Sequence, residues 1–157
     1  MAPIDSLDLV FRTARREDVR TIVSMLMADS LGKQRESSSP DLPQSYYHAF
    51  ADIEADPNNS LVVVEYDDRI VGVMQITYIP YLSYQGSWRA LIEGVRVHQD
   101  HRSLGIGRRM FEWAIEQART RGCKLVQLTS DKRRTDAIRF YESLGFKATH
   151  EGFKMWF

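Results

Sequence analysis

The hydrophobic pattern of the chain changes from helical spacing to strand-like alternation and back again. Apolar residues recur at helical spacing over residues 17–31, and a second helix is predicted between Pro43 and Pro57. From residue 60 the chain is β-branched and apolar, and the turn pair Asp67-Asp68 splits it into two strands, 60–66 and 69–78. A two-residue turn joins antiparallel strands as a hairpin, which excludes an all-parallel doubly wound sheet.

The remaining segments extend this sheet and cover it with helices. They comprise a first strand (8–14), a long strand (89–98), the strongest helix (104–121), a strand (124–130), a short helix (137–144) and two closing strands (146–148 and 152–157). We therefore predict one mixed α/β (α+β) domain over residues 1–157. Its centre is a mostly antiparallel mixed sheet of about seven strands flanked by helices.

The charge balance and the apolar content narrow the classes of protein to which this chain can belong. Lys and Arg number 21, and Asp and Glu also number 21, so the formal net charge is zero. Binding along a nucleic-acid backbone needs a surplus of basic residues, so nucleic acid is not expected as a partner. No apolar run approaches the roughly 20 residues that cross a bilayer, and no signal peptide is visible. We therefore expect a cytoplasmic protein without a membrane partner.

The single cysteine, Cys123, excludes an internal disulfide and a zinc site of several thiolates. It precedes an apolar, strand-like run, which favours a small buried core residue, with a reactive thiol as the alternative. His, Cys, Asp and Glu residues do not occur at metal-ligand spacing, so no metal is expected.

Two glycines lie in the turn between the long predicted strand and the strongest predicted helix. Gly105 and Gly107 would let a ligand approach the first helical N–H groups, which lack partners and carry partial positive charge. With Arg102, Arg108 and Arg109 nearby, this turn predicts a diphosphate site. The alternative is a tight turn in which the glycines only aid packing. A P-loop is excluded because no Lys-Ser/Thr follows, and a dinucleotide fold is excluded because a third glycine is missing.

Two segments resemble the GCN5-related N-acetyltransferase (GNAT) family. Residues 92–107, Ile-Glu-Gly-Val-Arg-Val-His-Gln-Asp-His-Arg-Ser-Leu-Gly-Ile-Gly, are similar to its central motif, which is Arg or Gln, two residues, Gly, one residue, then Gly or Ala. Residues 137–146, Ala-Ile-Arg-Phe-Tyr-Glu-Ser-Leu-Gly-Phe, resemble its second hallmark, a helix ending in Phe-Tyr and then Gly-Phe. The order of predicted elements extends the resemblance over essentially the whole chain.

The resemblance implies the acyl-CoA N-acyltransferase fold and acetyl-coenzyme A (acetyl-CoA) as the acyl donor. In the family the pyrophosphate lies on the glycine turn, which here comprises Arg102, Ser103, Leu104, Gly105, Ile106, Gly107 and Arg108. The pantetheine arm pairs with the preceding strand, here at Val95 and Val97. Many members carry an Asn before the last helix, and this chain has Arg134 at that position. The Asn contact is therefore in doubt, and an arginine contact to phosphate is the alternative.

Acetyl transfer needs a neutral amine and a stabilised leaving thiolate, and two residues suit these roles. Glu93 lies on the long predicted strand, where strict alternation would put it on one face with Leu91, Val95 and Val97. A carboxylate among apolar neighbours is more basic and suits general-base work. The family often has a carboxylate on this strand in that role. The alternative is a carboxylate at a pocket rim that only attracts a cationic substrate.

Tyr141 lies on the apolar stripe of the last predicted helix, with Ala137 and Leu144 on the same side. Periodicity alone favours a core aromatic. The family resemblance instead implies that this tyrosine protonates the thiolate of coenzyme A.

The acceptor is expected to bind the variable segments, the loop 33–43 and the aromatic loop 79–88, together with Tyr46 and Tyr47. Aromatics there would form a wall for a cation, or else pack the core edge or a homodimer contact. The predicted function is an acetyl-CoA-dependent N-acetyltransferase acting directly, in a ternary complex, on a small-molecule amine or a peptide N-terminus. The alternatives are a catalytically idle module that binds coenzyme A as a sensor or scaffold, and a transferase for another acyl group.

Overall fold

Five strands form one sheet, and they follow one another across it in chain order. The computed structural model describes residues 7–28, 31–37 and 39–157. The strands are β1 (Val10–Thr13), β2 (Asn59–Tyr66), β3 (Arg69–Tyr81), β4 (Ser87–Val97) and β5 (Cys123–Leu128). The helices are α1 (Val19–Leu26), α2 (Gln44–Ala55), α3 (Ile106–Thr120) and α4 (Thr135–Ser143). The chain divides into two compact units, Met1–Gln127 and Leu128–Phe157.

The three pairings from β1 to β4 are all antiparallel, and the β2–β3 pairing confirms the predicted hairpin. The turn between β2 and β3 consists of Asp67 and Asp68, whose φ angles are 51° and 56°. Two successive positive φ angles are the type I′ geometry that matches the twist of a hairpin. Asp tolerates this geometry better than most residues, so the polar pair sets the register next to the turn, and the register shifts by one residue at Val71, between the pairs Glu65–Ile70 and Val64–Gly72.

The two faces of the sheet bury their alternate side chains under different helices. Val62, Val64 and Met74 lie on one face, which α3 covers. Val63 and Val73 lie on the other and form a core cluster with residues of α1 and with Phe50 of α2. This arrangement confirms the predicted mixed sheet with helices on its faces.

The described sheet has five strands instead of about seven, because residues 146–157 carry no strand. The predicted closing strand 152–157 contains the large apolar residues Phe153, Met155, Trp156 and Phe157. Each of them is at least 79% exposed, so this segment buries no apolar face. An amphipathic strand gains its stability from burying that face against the core.

Two helices have bounds that differ from the prediction, α1 at its end and α3 at its start. Helix α1 ends at Leu26 instead of continuing to residue 31, and Gly32 lies in a short 3₁₀ turn. Helix α3 begins at Ile106 because Gly105 adopts the left-handed conformation, φ 77°. Burial raises the pKa of the Cys123 thiol, which keeps it protonated and favours its interpretation as a core residue. Among the described residues, no helix combines the length and apolar character that crossing a bilayer requires.

An ion-pair network ties β1 to β2 and to the start of α1. The guanidinium of Arg12 lies 2.7 Å from a carboxylate oxygen of Asp18 and 2.5 Å from one of Glu65. Asp18 also accepts the backbone N–H of Arg15 at 2.7 Å. Burial alone would raise the pKa of Asp18, but the hydrogen bonds from Arg12 and Arg15 outweigh it and lower that pKa. The charged form of Asp18 therefore stabilises the fold.

We expect Asp18→Asn to lower the free energy of unfolding near neutral pH by about 1–3 kcal/mol, because Arg12 loses a charged partner. Since the folded-state pKa is lowered, this stabilisation is fully present above the unfolded-state pKa of about 4. It disappears as the pH falls through the folded-state value. Urea unfolding of both proteins at neutral and acidic pH measures the deficit, which should shrink on acidification.

The matched control is Glu116→Gln, which breaks an exposed pair between Arg119 and Glu116 on α3, 3.5 Å apart. It should change the free energy of unfolding by less than about 1 kcal/mol at either pH. The loss of unfolding free energy in Asp18→Asn should exceed that in the control. A loss of equal size, or one that grows as the pH falls, would contradict the stabilising role of the charged Asp18.

Candidate functional site

A β-bulge interrupts β4 at the centre of the candidate site. Glu93 pairs with Gln75 and Arg96 pairs with Val73, so two residues of β4, Gly94 and Val95, lie opposite one residue of β3. Gly94 has a φ of 61°, the left-handed conformation that a bulge of this kind requires. A glycine inside an otherwise β-branched strand is the sequence signal that could have revealed the bulge.

The bulge corrects the predicted face of Glu93. Because an extra residue follows it, Glu93 shares a face with Gln75, on the side of α1 and α2, whereas Val97 pairs with Gly72 on the side of α3. The prediction that Glu93 and Val97 point to the same side is therefore wrong. Glu93 is also exposed, so the expected burial among apolar neighbours is wrong as well.

A polar network lies beside Glu93 on the same face. The Gln75 side-chain amide donates to Asn59 Oδ1 at 3.0 Å, and the Thr77 hydroxyl donates to the same atom at 2.8 Å. Asn59 in turn donates to a carboxylate oxygen of Asp56 at 2.6 Å. Glu93 thus borders a hydrogen-bonded polar surface that spans β2 and β3.

The glycine turn that is predicted to act as an anion cradle lies at the start of α3. Gly105 is the N-cap residue, and Ser103 is also left-handed, with φ 63°. Among the described residues, no side chain caps this end of the helix. The first helical bond runs from the Arg109 N–H to the Gly105 carbonyl at 3.2 Å. The N–H groups of Ile106 and Gly107 precede this bond and have no earlier helical carbonyl to bind.

The arginines around the cradle have different contacts. Arg109 donates to the Leu7 carbonyl at 2.5 Å, so it binds the segment before β1. Arg108 lies 3.9 Å from Glu112, one turn along α3. Arg102 donates to the Val97 carbonyl at 3.4 Å, and Arg96 donates to the Val95 carbonyl at 2.8 Å. Both carbonyls that the resemblance assigns to a pantetheine arm thus accept hydrogen bonds from arginine side chains.

The other predicted site residues belong to the second unit. Arg134 is the N-cap residue of α4, and its N–H donates to the Asp131 carbonyl at 2.9 Å. Tyr141 is half-buried on α4, and its ring lies 5.7 Å from that of Phe140 and 6.3 Å from that of Phe146. The structure thus brings Glu93, the strand residues and the cradle together in the first unit, with Tyr141 and Arg134 in the second.

The aromatic residues expected near the acceptor fall into two groups. Tyr46 and Tyr47 pack against the core cluster, and the Tyr46 hydroxyl binds Glu36 at 2.8 Å and the Ser37 N–H at 3.0 Å. This supports packing at the core edge for that pair. Tyr81 and Trp88 instead lie at the tip of the β3–β4 hairpin.

In the part of the chain that the structure describes, no three His, Cys, Asp or Glu side chains form a group that could hold a metal ion.

Comparison with known proteins identifies the class to which this fold and this site belong. Residues 25–146 match the Acetyltransferase (GNAT) family. The chain therefore belongs to the GNAT acetyltransferase family, which confirms the resemblance seen in its sequence.

Three relatives illustrate the range of the match. The crystal structure of a transcriptional regulator from Bacillus halodurans C-125 is 54% identical, with a TM-score of 0.92 over 95% of this chain and 99% of that chain. An acetyltransferase from Trypanosoma brucei is 25% identical, with a TM-score of 0.76 over 96% of this chain and 100% of that chain. The aminoalkylphosphonate N-acetyltransferase of Salmonella typhimurium LT2 is 29% identical over 107 residues, 68% of this chain and 69% of that protein.

The left-handed conformation of Gly94 yields a direct test of the bulge. We expect Gly94→Ala to lower the free energy of unfolding by about 1–2 kcal/mol, the usual cost of a left-handed conformation for a residue with a Cβ atom. The added Cβ would meet nothing closer than Leu26 Cδ2 at 3.9 Å, so crowding contributes little. Urea unfolding measures the change.

The control is Gly152→Ala, where φ is not positive and nothing lies within 4 Å of the added atom. It should leave the stability unchanged or slightly raised. Equal effects of the two substitutions would show that β4 does not need a left-handed residue at position 94.

Proposed function

We propose that this protein is an N-acetyltransferase that moves the acetyl group of acetyl-CoA directly to an amine in a ternary complex. The observation that carries the proposal is the uncapped, glycine-led start of α3 directly after a bulged strand. Membership of the GNAT family supports it, and so does the resemblance of residues 92–107 to the family's coenzyme motif.

The cradle suits the pyrophosphate of acetyl-CoA. The glycine turn at the uncapped start of α3 and the positive end of the α3 dipole favour a diphosphate. Arg102 and Arg108 lie beside the turn and add charged donors. Arg134 would be a further donor from the second unit.

The pantetheine arm would pair with β4 at Val95 and Val97. Its amide groups compete there with the side chains of Arg96 and Arg102, which now donate to the two carbonyls. Displacement of Arg102 by the arm would free its guanidinium for the nearby phosphates. The bulge at Gly94 lies between this part of β4 and Glu93. With the pantetheine arm after the bulge and the amine before it, the donor and the acceptor would meet at the bulge.

The reaction needs two proton transfers, and each has a candidate residue. A C–N bond forms as the amine attacks the thioester carbon, and the C–S bond breaks. Glu93, which is exposed, accepts the proton of the amine either directly or through water. Tyr141 donates its phenolic proton to the departing thiolate of coenzyme A, as the resemblance implies.

A small-molecule amine is the proposed acceptor, with a peptide N-terminus as the alternative. The relative from Salmonella typhimurium is named for acting on aminoalkylphosphonates, which are small amines that carry an anionic group. Glu93 and the neighbouring Asn59–Gln75 network favour a cationic ammonium group approaching from the side of α1 and α2.

A second function, in which the chain binds coenzyme A as a regulator without catalysis, has one observation in its favour. The relative that is 54% identical is described as a transcriptional regulator. Such a module would keep the cradle and make no use of Glu93 or Tyr141. Acetyl-CoA binding without turnover of any amine would favour it over the enzyme.

We expect saturating acetyl-CoA to raise the melting temperature by several degrees, because a ligand at about 100 times its Kd adds roughly 2.7 kcal/mol of stability. Gly105→Val should remove this shift, since it puts a Cβ and a strained backbone in the cradle. Differential scanning fluorimetry with acetyl-CoA, and with ADP as a weaker control ligand, measures both. A matched control is Gly122→Val, which has the same kind of positive φ, 81°, at the other end of α3. If Gly105→Val keeps the shift, the pyrophosphate does not bind this cradle.

We expect Tyr141→Phe to lower kcat by about 10²–10⁴-fold while the melting shift with acetyl-CoA persists, because only proton donation is lost.

Glu93→Gln should lower kcat/KM most at low pH, where the fraction of neutral amine is smallest. Thiol release from acetyl-CoA measures turnover for a panel of amines. Wild-type turnover without an effect of either substitution would leave the acetyltransferase standing but remove these two residues from its mechanism.

A further inference from the structure

The two faces of the β3–β4 ladder differ sharply in burial. On the α3 side, Met74, Ile76, Tyr78, Ala90 and Ile92 are all buried, none more than 8% exposed. The row on the other face is only half-buried and consists of Gln75, Thr77 and Ile79 on β3 and Arg89 and Leu91 on β4. That row runs from Glu93 to the tip of the hairpin, so it forms an open trough beside the proposed transfer site.

Three polar side chains meet on this face at the tip of the hairpin. Tyr81 pairs with Ser87, and Arg89 lies two residues further along β4, so all three point to the same side. The Arg89 guanidinium carbon lies 4.8 Å from the centre of the Tyr81 ring. This cation–π contact keeps the arginine at the tip.

Each of these side chains has a buried polar atom whose hydrogen-bonding capacity is unused. Tyr81 Oη, Ser87 Oγ and Arg89 Nε are all buried and have no hydrogen-bond partner in residues 7–28, 31–37 and 39–157. Native proteins rarely leave such atoms unpaired, because each costs about 1–3 kcal/mol. All three can donate, and one belongs to a permanently charged group, so the complementary ligand is an oxyanion.

A surface cleft of about 360 Å³ opens at the same tip, lined by Pro80, Tyr81, Leu82, Gly86, Ser87 and Trp88. Its volume is within the range of small-molecule sites. On the opposite face, Arg121 lies 4.7 Å from the ring centre of Tyr78 and 5.9 Å from that of Trp88. Arg121 also donates to Asn58 Oδ1 at 2.7 Å, so the hairpin is held against the end of α3.

The spacing along β4 sets the length of a molecule that would span the trough. Arg89 precedes Glu93 by four residues and Ser87 precedes it by six, which corresponds to about 13–20 Å of strand. Side chains at both ends shorten the gap to about 10 Å or more. The floor between them, Leu91 and Ile79 with the Thr77 hydroxyl, is mostly apolar.

We propose that Arg89, Tyr81 and Ser87 form an oxyanion site for the far end of the acceptor, which is an extended amine with a carboxylate or phosphate at its other end. The proposal rests on the proposed function, since Glu93 receives the amine. Negative charge at one end of the trough and positive charge at the other complement a molecule of this kind. Arg89 is then a specificity-determining residue for the reaction.

The test compares amino acids of increasing chain length with uncharged partners of equal length. The substrates are γ-aminobutyrate, ε-aminocaproate and ω-aminocaprylate, each paired with the n-alkylamine of the same number of carbons. Thiol release gives kcat/KM for each. For the wild type we expect the preference for the anionic partner to rise with chain length and to reach at least about tenfold for ω-aminocaprylate, mainly through KM.

In Arg89→Gln this preference should fall to about one, and Arg89→Lys should restore part of it. Arg119→Gln, which removes an exposed arginine of α3, is the matched control and should keep the wild-type preference. Melting temperatures of all variants show that they are folded. An unchanged preference in Arg89→Gln, or the same preference at every chain length, would overturn the proposal.

Competition with inorganic phosphate tests whether the site binds the anionic group of the acceptor or only free anions. Phosphate should compete with ω-aminocaprylate but not with octylamine, and it should raise the melting temperature of the wild type more than that of Arg89→Gln. If it stabilises the protein through Arg89 but does not compete, the site binds free anions and the acceptor assignment is wrong. If wild-type protein acetylates none of the amines, the proposed function fails. The phosphate-dependent melting shift still tests the oxyanion site in that case.

Discussion

The bulge at Gly94 is the constraint on which the candidate site depends. Antiparallel pairing with β3 holds β4 on both sides of the bulge, and the extra residue is accommodated by a left-handed backbone at Gly94. Because side chains alternate along a strand, one added residue moves each later side chain of β4 to the opposite face of the sheet. Glu93 therefore points towards α1 and α2, while Val97 points towards α3 and leads into the cradle.

Two sets of arginine contacts that stabilise the sheet lie away from the bulge. Arg12 links three elements through Asp18 and Glu65 at the β1 edge, and Arg121 links the end of α3 to Tyr78 and Trp88 at the hairpin. Both use an arginine that contacts two partners at once, an arrangement that a planar guanidinium favours. The strand that bears the site can thus keep an unusual backbone and half-exposed polar residues, because its neighbours stabilise the fold.

Much of the fold was predictable because period and turn chemistry are local. The Asp67-Asp68 hairpin, the strands around it and the glycine turn before α3 each follow from a few adjacent residues. The face of Glu93 was not predictable from alternation, since it depends on the register with β3. The paired positions of Tyr81, Ser87 and Arg89 also depend on that register and on the length of the hairpin. The prediction of two closing strands was wrong for a related reason. The apolar residues in 152–157 do not show whether a core surface is available to cover them.

Strand β4 divides the proposed work between its two ends. At the C-terminal end, backbone N–H groups and a helix dipole address a diphosphate, a ligand part that the whole family shares. At the N-terminal end, side chains alone provide the charge, and side chains can change without altering the strand. In the proposed mechanism, donor binding rests on the backbone at the end of β4 and the start of α3, whereas acceptor choice rests on a few replaceable residues, Arg89 above all. Under this proposal, side-chain substitutions at the N-terminal end of β4 would change the amine that is acetylated without disturbing the coenzyme site at the other end.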